Sequence, residues 1–204
     1  MKLVWHGHSC FSVETDAGTV VLDPYEDGAV PGLPPLRLTA DRVCCSHDHH
    51  DHNARKNVTL SGRDCGVSIE TVPCFHDGMR GVLRGKNTIH ILSAEGLRVA
   101  HLGDLGHALN GKALEKLRGV DALLIPVGGY YTIDPVTAKR VADDIGARVV
   151  IPMHYRRGNM GFDVIAELGD FTSLCGGVTE YDSDTMVLTA DTPAQTAVLN
   201  CAHE

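Results

Sequence analysis

Residues 47 to 52 read His47-Asp48-His49-His50-Asp51-His52, four histidines and two aspartates in six consecutive positions. They follow Ser46 and the run Arg42-Val43-Cys44-Cys45, which reads as a strand. Imidazole and carboxylate together suit a borderline divalent ion such as zinc. His47 and His49 lie two apart, so on an extended segment their side chains project to the same side. A turn immediately afterwards lets Asp51 and His52 face a second ion nearby. A solvated acidic loop is the alternative, but dense His/Asp tracts read as metal sites.

Three further ligand-type residues end predicted strands. His76 closes Val72-Pro73-Cys74-Phe75, Asp104 follows Leu97-Arg98-Val99-Ala100 within Leu102-Gly103-Asp104-Leu105-Gly106, and His154 closes Val149-Val150-Ile151-Pro152-Met153. Parallel and mixed sheets place their sites at such carboxyl ends. With these residues in place, the sequence resembles the metallo-β-lactamase superfamily of binuclear hydrolases. That resemblance implies an α/β (α+β) fold, a four-layer αββα sandwich. It implies one ion held by His47, His49 and His76, a second by Asp51, His52 and His154, and Asp104 shared between them. Gly7-His8-Ser9-Cys10-Phe11, His101-Leu102-Gly103-Asp104-Leu105-Gly106-His107 and Ile151-Pro152-Met153-His154-Tyr155 resemble the short, single-domain branch similar to bacterial sugar-lactone hydrolases.

The implied chemistry is hydrolysis of an ester or lactone by hydroxide held between two divalent ions, with Zn2+ first and Mn2+, Fe2+ or Ni2+ also compatible. A phosphodiesterase or phospholipase-like activity is the runner-up, because the same hydroxide serves both reactions. Asp51 is the candidate to orient the nucleophile and take its proton, with His107 next in line. A diiron redox protein of this fold would carry Glu where this chain has His49 and would need a flavin domain. A metal-binding module without activity would be expected to have lost ligands, and all seven positions are filled.

Composition narrows the partners. With 204 residues, 43% of them hydrophobic, the chain suits one domain spanning residues 1–204. No apolar run approaches the ~20 residues of a membrane span. Met1-Lys2-Leu3-Val4-Trp5-His6-Gly7 reads as a first strand, not a signal peptide. Seven cysteines without Cys-x-x-Cys spacing suggest reduced thiols and a cytoplasmic location, Cys44 and Cys45 among them as buried small hydrophobes. A net charge of -8 argues against a general nucleic-acid binder. A homo-oligomer is compatible with everything read here. The expected partner is a small-molecule substrate.

The first half contains expected strands at 3–6, 10–14, 19–22, 42–45, 67–74, 87–93 and 97–101. Later come a helix over 108–118, a strand over 121–126, and a helix from Pro135, capped by Asp134 and ended by Gly146. A strand over 148–153, a short helix over 162–168 and strands at 178–181, 186–189 and 197–200 complete the order.

Arg80, Arg84, Lys86, Arg156 and Arg157 closely follow two of the ligands in an otherwise acidic chain. Arginine pairs bidentately with phosphate or carboxylate, so a small anionic substrate is expected, contacted by Arg84, Arg156, Tyr131 and His8. Residues 28–35, rich in Gly and Pro, are the candidate lid. His6 and His101 are read as satisfied structural histidines, His50 as pointing away from the ions, and His90 and His203 as without supporting context.

Overall fold

In a computed structural model the structure is described for residues 1–201, so His203 lies outside the described residues. Six short strands come first: β1 (Lys2–Gly7), β2 (Cys10–Thr15), β3 (Gly18–Leu22), β4 (Leu38–Ala40), β5 (Arg42–Cys44) and β6 (Val58–Leu60). Next are β7 (Ser68–Phe75), β8 (Lys86–Ala94), β9 (Leu97–His101), α1 (Gly111–Leu117), β10 (Ala122–Pro126) and α2 (Pro135–Ile145). The chain continues through β11 (Val149–Met153), α3 (Leu168–Thr172), β12 (Val178–Glu180), β13 (Thr185–Val187) and β14 (Gln195–Val198).

Two sheets face each other. One has the order β13-β1-β2-β3-β5, the other β12-β14-β11-β10-β9-β8-β7, and β4 pairs with β6 alone. Alternation along β1, β2 and β3 turns Leu3, Trp5, Phe11, Val13, Val20 and Leu22 into the core shared with the larger sheet. Cys10 and Val21 face the other way, into a smaller cluster with Tyr25, Val30, Leu36, Ala40 and Val58. That outer cover is loop, β4, β6 and one 3-10 turn over Arg55–Asn57, while the helices pack outside the larger sheet. Every residue of β10 is buried, as a strand covered on both faces requires. The mixed layered architecture is the one expected.

α2 begins and ends as read: the Asp134 carboxylate accepts the Thr137 N–H at 2.7 Å, and Gly146 closes it at φ 68°. Two helical expectations change. α1 starts only at Gly111, because Asn110 is extended. Residues 162–167 are not helical; the helix begins only at Leu168, where Glu167 and Asp170 form a reciprocal capping box. All seven cysteines are free, with Cys44 buried and Cys45 half-buried. Among the described residues no helix is long and apolar enough to cross a membrane.

Strand direction decides where the site lies. β9, β10 and β11 are parallel, and β7, two antiparallel steps from β9, runs the same way. β3 and β5 are parallel in the facing sheet. The carboxyl ends of β3, β5, β7, β9 and β11 deliver Asp23, His47, His76, Asp104 and His154.

Candidate metal centre

The centre is organised around one carboxylate oxygen. Asp104 Oδ2 lies 3.2 Å from His52 Nε2, 3.2 Å from His76 Nε2, 3.3 Å from His154 Nε2 and 3.9 Å from His47 Nε2. Ligand atoms of His47, His49 and His76 fall within 4.8 Å of one another, and so do those of His8, Asp51, His52 and His154. All seven residues expected as ligands therefore meet in one place. His8 joins them.

The backbone around these residues is constrained. Gly103, just before Asp104, has φ 53°, and a Cβ there would lie 2.4 Å from Ser46 Cβ and from Asn87 Oδ1. Only glycine permits that approach. Asn87 in turn accepts the Asp104 N–H at 3.0 Å. His8 and His154 sit at φ 50° and 56°, in the left-handed region that non-glycine residues seldom occupy.

Charge and burial are in tension here. Burial, the largest influence, depresses His8 to about 4 and His47 to about 3 and also lowers His76, so these rings are neutral near pH 7. Burial alone would lower His52 too, but Asp104, Asp23 and Asp51 outweigh it and hold its pKa well above the usual value. Asp104 is driven the opposite way: burial opposes its charge, and His154 and His52 prevail and keep it ionised.

The hydrogen-bond inventory tests whether a metal fits. His52 Nε2, Asp104 Oδ1 and both ring nitrogens of His154 are buried without a hydrogen-bond partner. Lone pairs left unpaired in the interior are costly. The orphaned atoms are imidazole nitrogens and carboxylate oxygens, the donor chemistry of a divalent cation. The residues fit a metal.

Asp23 is a functional candidate that the sequence reading missed. Fully buried, it accepts the Ser46 N–H at 2.7 Å, and its Oδ2 lies 2.8 Å from His52 Nδ1. A carboxylate that holds the far nitrogen of a ligating imidazole fixes both tautomer and ring orientation. The signal was available, since Asp23 directly follows β3 as His76 follows β7. We expect Asp23→Ala to weaken metal affinity by about 10- to 100-fold with the fold intact. Chelator competition checks this, and unchanged affinity would reduce Asp23 to a packing role.

Other expectations divide. A cavity of about 330 Å³ opens over the centre, lined by His49, His50, Asp51, His76, Arg84, Asp104, Tyr131 and Phe162. Arg84 and Tyr131 stand where a substrate contact was expected. Three other residues do not. Arg156 is tied to Glu167 at 2.5 Å and does not line the cavity. His8, with its side chain wholly buried, packs against His154 beneath the centre, at 4.1 Å between ring centroids. His107 accepts the Phe75 N–H at Nε2 and donates from Nδ1 to the Ala108 carbonyl, so both nitrogens serve the backbone.

His50, expected to point away, lines the opening. Segment 28–35 is pinned elsewhere: Pro31 accepts the Gly161 N–H at 3.0 Å, and Gly32 and Leu33 line a separate cavity with residues 157–160. It is not a wall of this centre. His6 and His101 are satisfied, His6 by Ser12 at 2.7 Å and His101 by Ser9 and Gly103.

Residues 2–154 match the beta-lactamase superfamily domain. The chain belongs to the metallo-β-lactamase superfamily, among its metal-dependent hydrolases. It is 36% identical to a protein of Thermotoga maritima, whose crystal structure is described as a candidate Zn-dependent hydrolase of the superfamily. The TM-score is 0.77, with 97% of each chain covered. A metal-dependent hydrolase of Methanoculleus marisnigri is 30% identical over 76% of this chain and 81% of its own length. One from Thermoplasma acidophilum is 26% identical over 89% of this chain and 93% of its own.

Proposed function

We propose that residues 1–204 form one binuclear hydrolase domain that cleaves an ester or lactone bond of a small anionic molecule. The observation that supports this reading is the position of Asp104 Oδ2, within 3.2 to 3.9 Å of ring nitrogens of His47, His52, His76 and His154, which span both proposed ligand sets. His47, His49 and His76 would hold one divalent ion and Asp51, His52 and His154 the other, with Asp104 between them. Zinc is the first choice by ligand type. Two such ions, when bound, supply Lewis acidity and lower the pKa of water toward ~7.

The protein's part is positioning and proton transfer. Asp51 reaches the cavity, and its Oδ2 lies 3.5 Å from His8 Nε2 and 3.6 Å from His52 Nε2. His8 and His52 both stand beside that one carboxylate oxygen, which leaves the second oxygen of Asp51 available to accept a proton. Burial works against the Asp51 charge, but His8 and His52 keep it ionised.

Arg84 supplies the preference for an anion. Its guanidinium carbon lies 5.5 Å from the Tyr131 ring centroid and 5.9 Å from that of Tyr130. It forms no ion pair among the described residues, so the charge is free to meet a carboxylate or phosphate. Arg84→Gln is expected to raise KM for an anionic substrate and leave a neutral analogue nearly unchanged. Equal loss on both would make the arginine structural. The overall reading is tested by a hydrolysis screen of lactones, acyl esters and phosphodiesters against protein of measured metal content. Turnover confined to phosphodiesters would replace ester cleavage with phosphodiesterase chemistry.

A further inference from the structure

His8 brings to the centre an imidazole with no hydrogen bond. Its side chain is wholly buried, and neither Nδ1 nor Nε2 has a hydrogen-bond partner. Leaving buried ring nitrogens unpaired is costly, and so is the backbone beneath them, at φ 50°. The position is nonetheless fixed. The register between β1 and β2 shifts between Trp5 and Gly7. The His8 carbonyl then accepts the Trp5 indole N–H at 3.0 Å and the His154 N–H at 3.3 Å. Two histidines with left-handed backbones are thereby tied together in one cluster.

Spacing indicates what the ring can do. His8 Nε2 lies 3.5 Å from Asp51 Oδ2, and that oxygen lies 3.6 Å from His52 Nε2. Both separations exceed an ordinary N–H···O hydrogen bond of ~2.7 to 3.2 Å. They suit donors that share an ion. With zinc ~2.0 to 2.1 Å from each nitrogen or oxygen, tetrahedral neighbours stand about 3.3 to 3.4 Å apart. Asp104 Oδ2 keeps the same spacing, 3.2 Å from His52 Nε2 and 3.3 Å from His154 Nε2. The rings agree. Centroids of His47, His49 and His76 are 4.5, 4.6 and 5.2 Å apart, and those of His8, His52 and His154 are 4.1, 5.4 and 6.0 Å apart. Each half of the centre thus gathers three imidazoles.

We propose that His8 is a ligand of the second ion, through Nε2, alongside Asp51, His52 and His154. This rests on the two-ion reading above and makes the two ions unequal. Counting the shared Asp104, the second ion has one protein donor more than the first. His8, His52 and His154 are buried and do not line the cavity, whereas His49 and His76 do. A metal closed in by protein is structural, and one that keeps an open position takes water or substrate. The second ion is then the anchor, and the first is the one that meets substrate.

The test counts ligands by proton NMR on cobalt-loaded protein. Each imidazole bound to Co2+ carries one exchangeable ring N–H, whose signal the unpaired electrons of the ion shift far outside the ordinary range. In His49→Ala protein, which keeps only the second ion, three such signals are expected, from His8, His52 and His154. That count needs no substitution at His8. His8→Gly should then remove one signal, and glycine suits the backbone at φ 50°. His8→Gln, which fills most of the space without an imidazole, should lose the same signal, so a folding defect in one variant does not hide the result. Two signals before substitution, or three that survive it, overturn the proposal. A wild type that takes up a single ion would refute the two-ion reading instead, and the presence or absence of a signal lost in His8→Gly would still decide the role of His8.

Discussion

Asp104→Ala is expected to empty the metal centre, taking protein purified without chelator from up to two divalent ions per chain to none or one. Its Oδ2 is the atom nearest to both halves of the ligand set, within 3.2 to 3.3 Å of three imidazole nitrogens. Removing it also leaves His52 without the carboxylate that contributes most to stabilising its protonated form. His49→Ala, at the more exposed rim, should cost only the ion shared with His47 and His76. Elemental analysis of the three proteins after zinc supplementation checks the pattern. A wild type without metal, or an Asp104→Ala protein that keeps two ions, would sink the binuclear reading.

Asp51→Asn separates binding from chemistry. The amide keeps the size and one oxygen of the side chain but is not a base. With metal content matched, turnover should fall by roughly two to four orders of magnitude, the scale of a positioned general base. KM should move far less, because Arg84 and Tyr131 remain in place. Undiminished turnover at full metal occupancy would pass the proton to another group. His107 does not qualify, since the Phe75 and Ala108 backbone engages both of its nitrogens.

The candidate ligand residues were legible because metal chemistry restricts residue type and strand-end placement together. His47, His76, Asp104 and His154 each announce themselves as a polar ligand after an apolar run. Asp23 obeyed the same rule yet carried no neighbouring histidine to draw the eye, and its partner His52 is 29 residues away. The sheets were legible from period-two burial, whereas β4 and β6 were not, being three residues long and paired only with each other.

Side-chain direction was the weakest inference. His8, Arg156 and His107 all lie close in sequence to site segments, but proximity along the chain does not say which way a side chain turns. Arg156 was drawn off by Glu167 and His107 by the backbone, while His8 was turned inward by a left-handed residue after the strand bulge at Gly7. The segment 162–168 reflects a similar limit. The short helix was expected over 162–168, but the strong capping signal, Glu167 with Asp170, lay at the far end of that range.

The two sheets contribute unequally to the centre, and neither suffices alone. The tract from His47 to His52 hangs from the five-stranded sheet, while His76, Asp104 and His154 come from the seven-stranded one. An ion bound there fastens the two halves at their shared edge, as a clasp joins covers whose spine is the hydrophobic core. Metal uptake would then report that the halves have docked, and a nascent chain that has made only β1, β2, β3 and β5 with the tract that follows would hold half a clasp. Loss of metal would loosen the edge that carries the reaction before it disturbed the core. The same edge bears the cavity lined by Arg84 and Tyr131, so the proposed chemistry and the docking of the sheets would draw on one set of side chains.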